Sequence, residues 1–182
     1  MANSVENVYS TALFELCEEQ DALKSTFEEL EQVCAIVFDG SQKDFVEMLS
    51  SPLIPFEDKQ KALRAVFGGR VGDVLLDFLC VVTQKGRFKA LPGIASQFKD
   101  MYYQKKNILE VTATTVQPLS DKLRKKLVDK LQSVSGKTVI LHEKLDKSIL
   151  GGIVLRYANT EIDSSVKTKL DNIKAQIDRI IV

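Results

Sequence analysis

Histidine and cysteine are scarce in this sequence, and their scarcity limits the chemistry that it can support. The 182 residues include one histidine, His142, and three cysteines, Cys17, Cys34 and Cys80. Four dispersed groups without a CxxC spacing do not form a zinc site, and a catalytic thiol needs a histidine partner. The cysteines lie within apolar helical patterns, so we expect buried, reduced thiols, as in a cytosolic protein. The sequence therefore predicts no metal and no cofactor.

The sequence also lacks an excess of either charge. Lysine and arginine total 25, aspartate and glutamate total 25, and the formal net charge is zero. Proteins that bind a nucleic-acid backbone usually carry a basic excess, because their cations replace the counterions of the phosphates. One basic run keeps a helical nucleic-acid-binding protein open as an alternative, although a solvated helix face explains the run more simply. The run consists of Lys122, Arg124, Lys125, Lys126 and Lys130.

No apolar run is long enough to cross a bilayer. The densest run, residues 71–82, is interrupted by Gly72, Asp73 and Asp77, whereas a membrane-spanning helix needs about 20 apolar residues. The amino terminus has neither a basic start followed by an apolar run nor an arginine-rich amphipathic leader. We therefore expect a cytosolic protein without a secretory or transit peptide, which reaches a membrane only through a partner.

The motifs of nucleotide-binding and hydrolytic enzymes are incomplete. Residues 135–138 read Ser-Gly-Lys-Thr, the end of a phosphate-binding loop, but Leu131 occupies the position where that loop needs its first glycine. Residues 68–72 lack the G-x-G-x-x-G spacing and follow a helical pattern instead of a strand. No G-x-S-x-G turn is present. Without a convergent set of polar residues, the sequence predicts no catalytic residue and no enzyme.

Apolar residues recur at helical spacing up to about residue 106. A second apolar stripe begins at Leu23, and breaks follow at Gly40, Pro52, residues 68–69 and Gly86, so this region is expected to form six helices. The fifth, over residues 71–84, is apolar on nearly every side, so it is either central in a bundle or has one face that awaits a partner. The apolar stripe of the first helix comprises Val5, Val8, Tyr9, Ala12, Leu13 and Leu16.

The pattern changes near residue 107. Leu109, Val111 and Ala113 alternate with polar residues, which predicts a strand. A helix is then expected between Ser120 and Gly136, followed by strands over residues 139–141, 153–157 and 161–162 and by a last helix. The sequence thus predicts two domains, an all-α domain over residues 1–106 and a small α+β domain over residues 107–182.

Four segments together are similar to a known family. Residues 150–156 read Leu-Gly-Gly-Ile-Val-Leu-Arg, and residues 162–166 read Ile-Asp-Ser-Ser-Val before an apolar-striped helix. Residues 9–16 read Tyr-Ser-Thr-Ala-Leu-Phe-Glu-Leu, and residues 85–94 begin with Lys-Gly-Arg-Phe. In this order, and over nearly the full length, they resemble the ATP synthase delta subunit family, which includes the oligomycin sensitivity-conferring protein. Ser10 stands where the family commonly has alanine, a change small enough for a helix packing position.

This resemblance implies a fold that is mainly α, with an N-terminal six-helix bundle over residues 1–106 and a small C-terminal α+β domain. It implies a non-catalytic stator subunit, which links the catalytic alpha/beta head of F-type ATP synthase to the b-subunit peripheral stalk. Such a subunit resists rotor torque during proton-driven ATP synthesis. The expected location is the cytoplasmic face of the bacterial inner membrane, as a peripheral part of the complex, because no transit peptide is seen. A nucleic-acid-binding protein or a generic protein-interaction adaptor is the alternative.

The resemblance also implies two binding surfaces, one for the amino-terminal helix of an alpha subunit and one for the b subunits of the stalk. In the family, the alpha helix lies in a groove between the first and fifth helices of the bundle. The groove residues expected here are Tyr9, Ala12, Leu13, Leu16, Leu75, Phe78, Leu79 and Val82. The stalk-contact residues expected here are Val166, Leu170, Ile173, Ile177, Ile180 and Ile181. Ordinary core packing is the alternative for both sets.

A few residues near the last helix are expected to be structural. Gly151 and Gly152 allow a close approach of the backbone at the start of a strand, and they are not expected to bind phosphate. Either Asp163 or Ser164 is expected to cap the last helix, with Ser165 completing the motif.

Overall fold

The computed structural model describes residues 5–157 and 160–170. The chain divides into two compact units, Met1–Tyr102 and Tyr103–Val182. The fold is mainly helical with one four-stranded sheet, which confirms the coarse fold class expected from the sequence. Within the described ranges, no helix combines the length and the hydropathy that crossing a bilayer requires.

The helices of the first unit follow the predicted breaks closely. They are α1 (Val5–Glu19), α2 (Leu23–Val37), α3 (Lys43–Ser50), α4 (Phe56–Phe67), α5 (Asp73–Gln84) and α6 (Leu91–Lys105). Two boundaries differ from the expectation. Helix α5 begins at Asp73 because Gly72 is extended at its N-cap. A short 3₁₀ turn, Phe88–Ala90, precedes α6, because Gly86 first turns the chain with a φ of +67°.

Large side chains from several helices fill the core of the first unit. Phe14 of α1 meets Phe98 of α6 edge-on, with ring centroids 5.7 Å apart. Phe27 of α2 stacks on Tyr102 of α6, with centroids 4.5 Å apart. Such aromatic pairs add to the free energy gained by burying apolar area. The fully buried aliphatic residues include Leu13, Leu30, Leu49, Leu63, Leu75, Leu79, Leu91 and Ile94.

The second unit is built around a sheet with the strand order β2-β1-β3-β4. Its elements are β1 (Ile108–Thr115), α7 (Asp121–Ser135), β2 (Thr138–Leu145), β3 (Ile153–Tyr157) and β4 (Thr160–Asp163). Strands β1 and β2 are parallel and are joined through α7, whereas β3 pairs antiparallel with both β1 and β4. A parallel pair needs a long crossover connection, and α7 provides it.

Helix α7 covers one face of this sheet. Val111 and Ala113 of β1 and Val139 and Leu141 of β2 form its buried centre, and Leu127 of α7 is among the partly buried residues packed against them. Gly136 ends α7 in the left-handed conformation, with a φ of +67°, as glycine at a helix C-terminus commonly does. Residues 166–170 are again helical.

Candidate functional site

An open cavity of about 570 Å³ lies between α1 and α5 in the first unit. Its lining is mostly apolar, and its charged members are two aspartates. A concave apolar surface of this kind suits the apolar face of a bound helix, with few polar groups to set its orientation. The lining consists of Val8, Tyr9, Ala12, Leu13, Leu16 and Gln20 from α1 and of Asp73, Val74, Asp77, Phe78 and Val81 from α5. We call this cavity the α1/α5 groove.

The α1 wall comes from the predicted apolar stripe. Val8, Ala12 and Leu16 are spaced by four residues, so their side chains share one face of the helix. Val8 is 53% exposed and Leu16 is 40% exposed, which leaves this face open to a partner. Tyr9 meets Phe78 of α5 edge-on, with ring centroids 6.4 Å apart. All four predicted α1 residues therefore line the groove, because Leu13 lies there as well.

The α5 wall differs from the prediction. Phe78 lines the groove, but Leu75, Leu79 and Val82 do not. These three side chains have no exposed surface, so their assignment to the groove is wrong. Helix α5 packs against α2 and α4, and a helix that is apolar on every side does not reveal which of its faces that packing covers.

The other α5 residues that line the groove were not predicted from the sequence. Val74 and Val81 line the groove together with Asp73 and Asp77, and Val81 is 47% exposed. A seven-residue spacing joins Val74 and Val81, and Phe78 lies between them, so one helical face carries all three. The position of the aspartates was a usable signal, because α5 has acidic residues only along this side.

Each helix that lines the groove makes a side-chain hydrogen bond outside the cavity. The backbone N–H of Gly72, at the N-cap of α5, donates to Oε2 of Glu29 in α2 over 2.8 Å. A carboxylate is favoured at this position by the unpaired N–H groups of a helix start. On α1, Ser10 is fully buried, as the packing position inferred from the family pattern requires, and its hydroxyl donates to the carbonyl of Asn7 over 3.1 Å.

The predicted stalk surface falls largely outside the described residues. Val166 is 42% exposed and Leu170 is 54% exposed, so both present apolar surface to solvent. The other predicted members, Ile173, Ile177, Ile180 and Ile181, lie outside the described residues.

The glycine pair lies against the start of the last helix. A Cβ on Gly152 would be 2.5 Å from the carbonyl oxygen of Ser164 and 3.0 Å from Cα of Ser165, and its φ is +83°. A Cβ on Gly151 would be 3.2 Å from a methyl group of Val166. Close backbone approach therefore requires glycine at residue 152 above all.

The cap of the last helix is Ser165, so the expectation of Asp163 or Ser164 is wrong. The Ser165 hydroxyl accepts from the N–H of Thr168 over 3.2 Å, as an N-cap does. Asp163 supports this cap, because its carboxylate accepts from the Thr168 hydroxyl over 2.6 Å and from the Ser165 N–H over 2.7 Å. These hydrogen bonds, of which the one from the Thr168 hydroxyl has the largest effect, hold the pKa of Asp163 below its usual value. Their contribution to stability is present at neutral pH and is lost as the pH falls through that lowered pKa.

The described residues offer little for nucleophilic or metal chemistry. Burial raises the pKa of the Cys34 thiol to about 12 and also raises the pKa values of Cys17 and Cys80. All three are free thiols; Cys17 and Cys80 are buried, as predicted, whereas Cys34 is half-buried. A protonated thiol is a weak nucleophile. Within the described ranges, no group of three or more His, Cys, Asp or Glu residues is arranged to hold a metal ion.

The two remaining sequence motifs have structural explanations. Residues 135–138 connect the end of α7 to the start of β2, whereas a phosphate-binding loop connects a strand to the start of a helix. The residues of the basic run are all exposed on α7. One of its members, Arg124, is directed to the sheet and pairs with Glu143 over 3.5 Å.

Comparison with known proteins identifies the family. The family model for the ATP synthase delta (OSCP) subunit matches residues 5–177. The ATP synthase subunit delta of Clostridioides difficile is 34% identical over all of this chain and 99% of its own length. The same subunit of Fusobacterium nucleatum is 37% identical over 90% of this chain and 92% of its own length.

A solved structure gives the same result. A chain of the mitochondrial ATP synthase hexamer of Toxoplasma gondii superposes with a TM-score of 0.73 and 25% identity, over 96% of this chain and 97% of that chain. Family model, relatives and structure each cover nearly the whole protein. The chain therefore belongs to the ATP synthase delta (OSCP) subunit family, the non-catalytic stator subunits in the peripheral stalk of F-type ATP synthase.

Proposed function

We propose that this subunit joins the catalytic head of ATP synthase to the peripheral stalk through two separate surfaces. Residues 1–106 act as a six-helix bundle that binds the amino-terminal helix of an alpha subunit in the α1/α5 groove. Residues 107–182 bind the b subunits, with Val166 and Leu170 in the contact. A link of this kind holds the head stationary against rotor torque while protons drive ATP synthesis.

The observation that carries this proposal is the apolar surface left open in the groove. Val8, Leu16 and Val81 are each at least 40% exposed, although Val8 and Leu16 of α1 lie across a concave surface from Val81 of α5. Exposed apolar residues that cluster in a groove usually mark a protein-binding site. An amphipathic helix would cover them with its own apolar stripe, as helix-in-groove recognition does elsewhere.

The proposed location follows from the complex. Because its relatives include bacterial delta subunits, we place the protein at the cytoplasmic face of a bacterial inner membrane. Its attachment there runs through the other subunits of ATP synthase.

The groove is tested by calorimetric titration of the full-length chain with a synthetic peptide from the amino terminus of its own alpha subunit. We expect Val81→Asp to weaken binding about 100-fold, because the bound peptide would bury an unpaired carboxylate against apolar groups. Phe78→Asp is a poorer test, since Phe78 is only 9% exposed and its substitution disturbs the fold.

Val66→Asp is the matched control for Val81→Asp. Val66 is 38% exposed on α4 and does not line the groove, so this variant should bind the peptide as the unmodified protein does. Equal weakening by both substitutions, or no binding by the unmodified chain, would contradict the proposal.

A further inference from the structure

The zero net charge of the sequence hides an unequal division between the two units. Residues 1–102 hold 10 lysines and arginines against 16 aspartates and glutamates, a formal charge of −6. Residues 103–182 hold 15 against 9, a formal charge of +6. The α1/α5 groove therefore belongs to a unit whose field attracts cations.

The groove itself carries the same sign of charge. Asp73 and Asp77 both line it and are exposed, and its lining includes no lysine, arginine or histidine. The aspartates are four residues apart on α5, so their carboxylates lie on one side of the helix, one turn from each other. Among the described residues, neither carboxylate is paired with a cation.

The α1 wall of the groove also has acidic residues beside it. Glu15 and Glu19 of α1 are exposed. Glu15 follows Ala12 by three residues and Glu19 follows Leu16 by three, so both glutamates lie beside the apolar line that forms the α1 wall. A helix that settles into the groove thus brings its flanks next to carboxylates on both sides.

We propose that the helix bound in the α1/α5 groove is a basic amphipathic helix, with at least two lysine or arginine side chains four residues apart that pair with Asp73 and Asp77. This inference rests on the proposed function and specifies the chemistry of the partner. Docking an apolar stripe removes water from the edges of the groove. Carboxylates in that position favour cationic neighbours and disfavour acidic ones, which gives selectivity as well as attraction.

The acidic unit also argues against a second copy of its own helices as the occupant. Two first units would each carry a formal charge of −6, so helices of one copy would meet like charge in the groove of the other. The basic helix α7 of a second copy is the competing occupant, and the oligomeric state of the protein tests it.

The experiment uses three synthetic amphipathic peptides with one shared leucine stripe. They differ only at two flanking positions four residues apart, which are both lysine, both glutamine or both glutamate. Each is titrated calorimetrically into the full-length chain at low and at physiological ionic strength. We expect the lysine peptide to bind roughly 2- to 30-fold more tightly than the glutamine peptide, the range for two exposed ion pairs. The glutamate peptide should bind most weakly, and salt should reduce all three differences.

Two double variants assign that preference to particular residues. D73N/D77N should remove the preference for the lysine peptide over the glutamine peptide. D44N/E47Q makes the same change in net charge on α3, at exposed residues that do not line the groove, and it should preserve the preference. A preference that survives D73N/D77N, or that both double variants reduce equally, would overturn the inference.

The remaining outcomes separate this inference from the proposed function. Equal affinity of the unmodified chain for all three peptides would overturn the charge preference and leave the apolar groove intact. If none of the peptides binds, and the alpha-subunit peptide also fails, both proposals are wrong. Self-association of the chain in sedimentation experiments, abolished by D73N/D77N, would make a second copy the occupant and overturn the assignment to a separate basic helix.

Discussion

Leu79→Ala is expected to lower the free energy of unfolding by about 2–5 kcal/mol, the range observed when a buried leucine is cut back to alanine. Leu79 has no exposed surface and lies on the face of α5 that packs into the core. Its truncation removes buried methyl groups and leaves a cavity that the neighbouring helices fill only in part. Urea unfolding followed by far-ultraviolet circular dichroism measures the loss.

Val81→Ala provides the comparison on the same helix. Val81 is 47% exposed, so its truncation should change the free energy of unfolding by no more than about 0.5 kcal/mol. In peptide binding, Val81→Ala should have the larger effect of the two substitutions, since Val81 lines the groove and Leu79 does not. Equal stability losses in the two variants would show that the two faces of α5 have been assigned incorrectly.

Gly152→Ala should destabilise the second unit by about 2–4 kcal/mol, because a positive φ and a backbone overlap act together there. The φ of Gly152 is +83°, and a Cβ would be 2.5 Å from the carbonyl oxygen of Ser164. This oxygen belongs to the backbone that leads into the last helix, so it cannot move away as a flexible side chain could. Urea unfolding of the full-length chain again measures the effect.

Gly136→Ala separates the two causes. Gly136 lies in the same unit with a φ of +67°, but nothing lies within 4 Å of a Cβ placed on it. Only the backbone conformation is then strained, and the expected loss is about 1 kcal/mol. If Gly152→Ala costs no more than Gly136→Ala, the close approach to Ser164 does not restrict residue 152.

Most of the secondary structure was predictable because its signals are local. Helix α4 begins directly after Pro55 and ends directly before the glycines at residues 68–69, as predicted. Strand β3 has the predicted bounds of residues 153–157. The parallel pairing of β1 with β2 was not predicted. Strand alternation shows which residues face the core but carries no information on which strand lies beside which.

The groove was predictable in part for a related reason. Helix α1 has one apolar stripe, so its periodicity pointed to the residues that line the groove. Helix α5 is apolar on nearly all sides, so periodicity could not distinguish its core face, with Leu79, from its open face, with Val81. Only the packing of α5 against α2 and α4 separates the two.

The family was predictable from motifs spread along the whole chain, whereas the details of the last helix were not. The role of Asp163 as a support for the Ser165 cap depends on hydrogen bonds to Thr168, and Thr168 is not distinguished in the sequence pattern. The acidic character of the groove was not predicted from the net charge. The net charge of the whole sequence is zero because an acidic first unit and a basic second unit balance each other.

Site-specific photocrosslinking in purified ATP synthase tests our proposal that the α1/α5 groove holds an alpha subunit in the assembled enzyme. A benzophenone amino acid replaces Val81 in one preparation and Val66 in another. We expect illumination to join the chain to an alpha subunit through residue 81 and not through residue 66, as identified by mass spectrometry. Crosslinking of residue 81 to another subunit only, or equal crosslinking of alpha from both positions, would contradict the proposed contact.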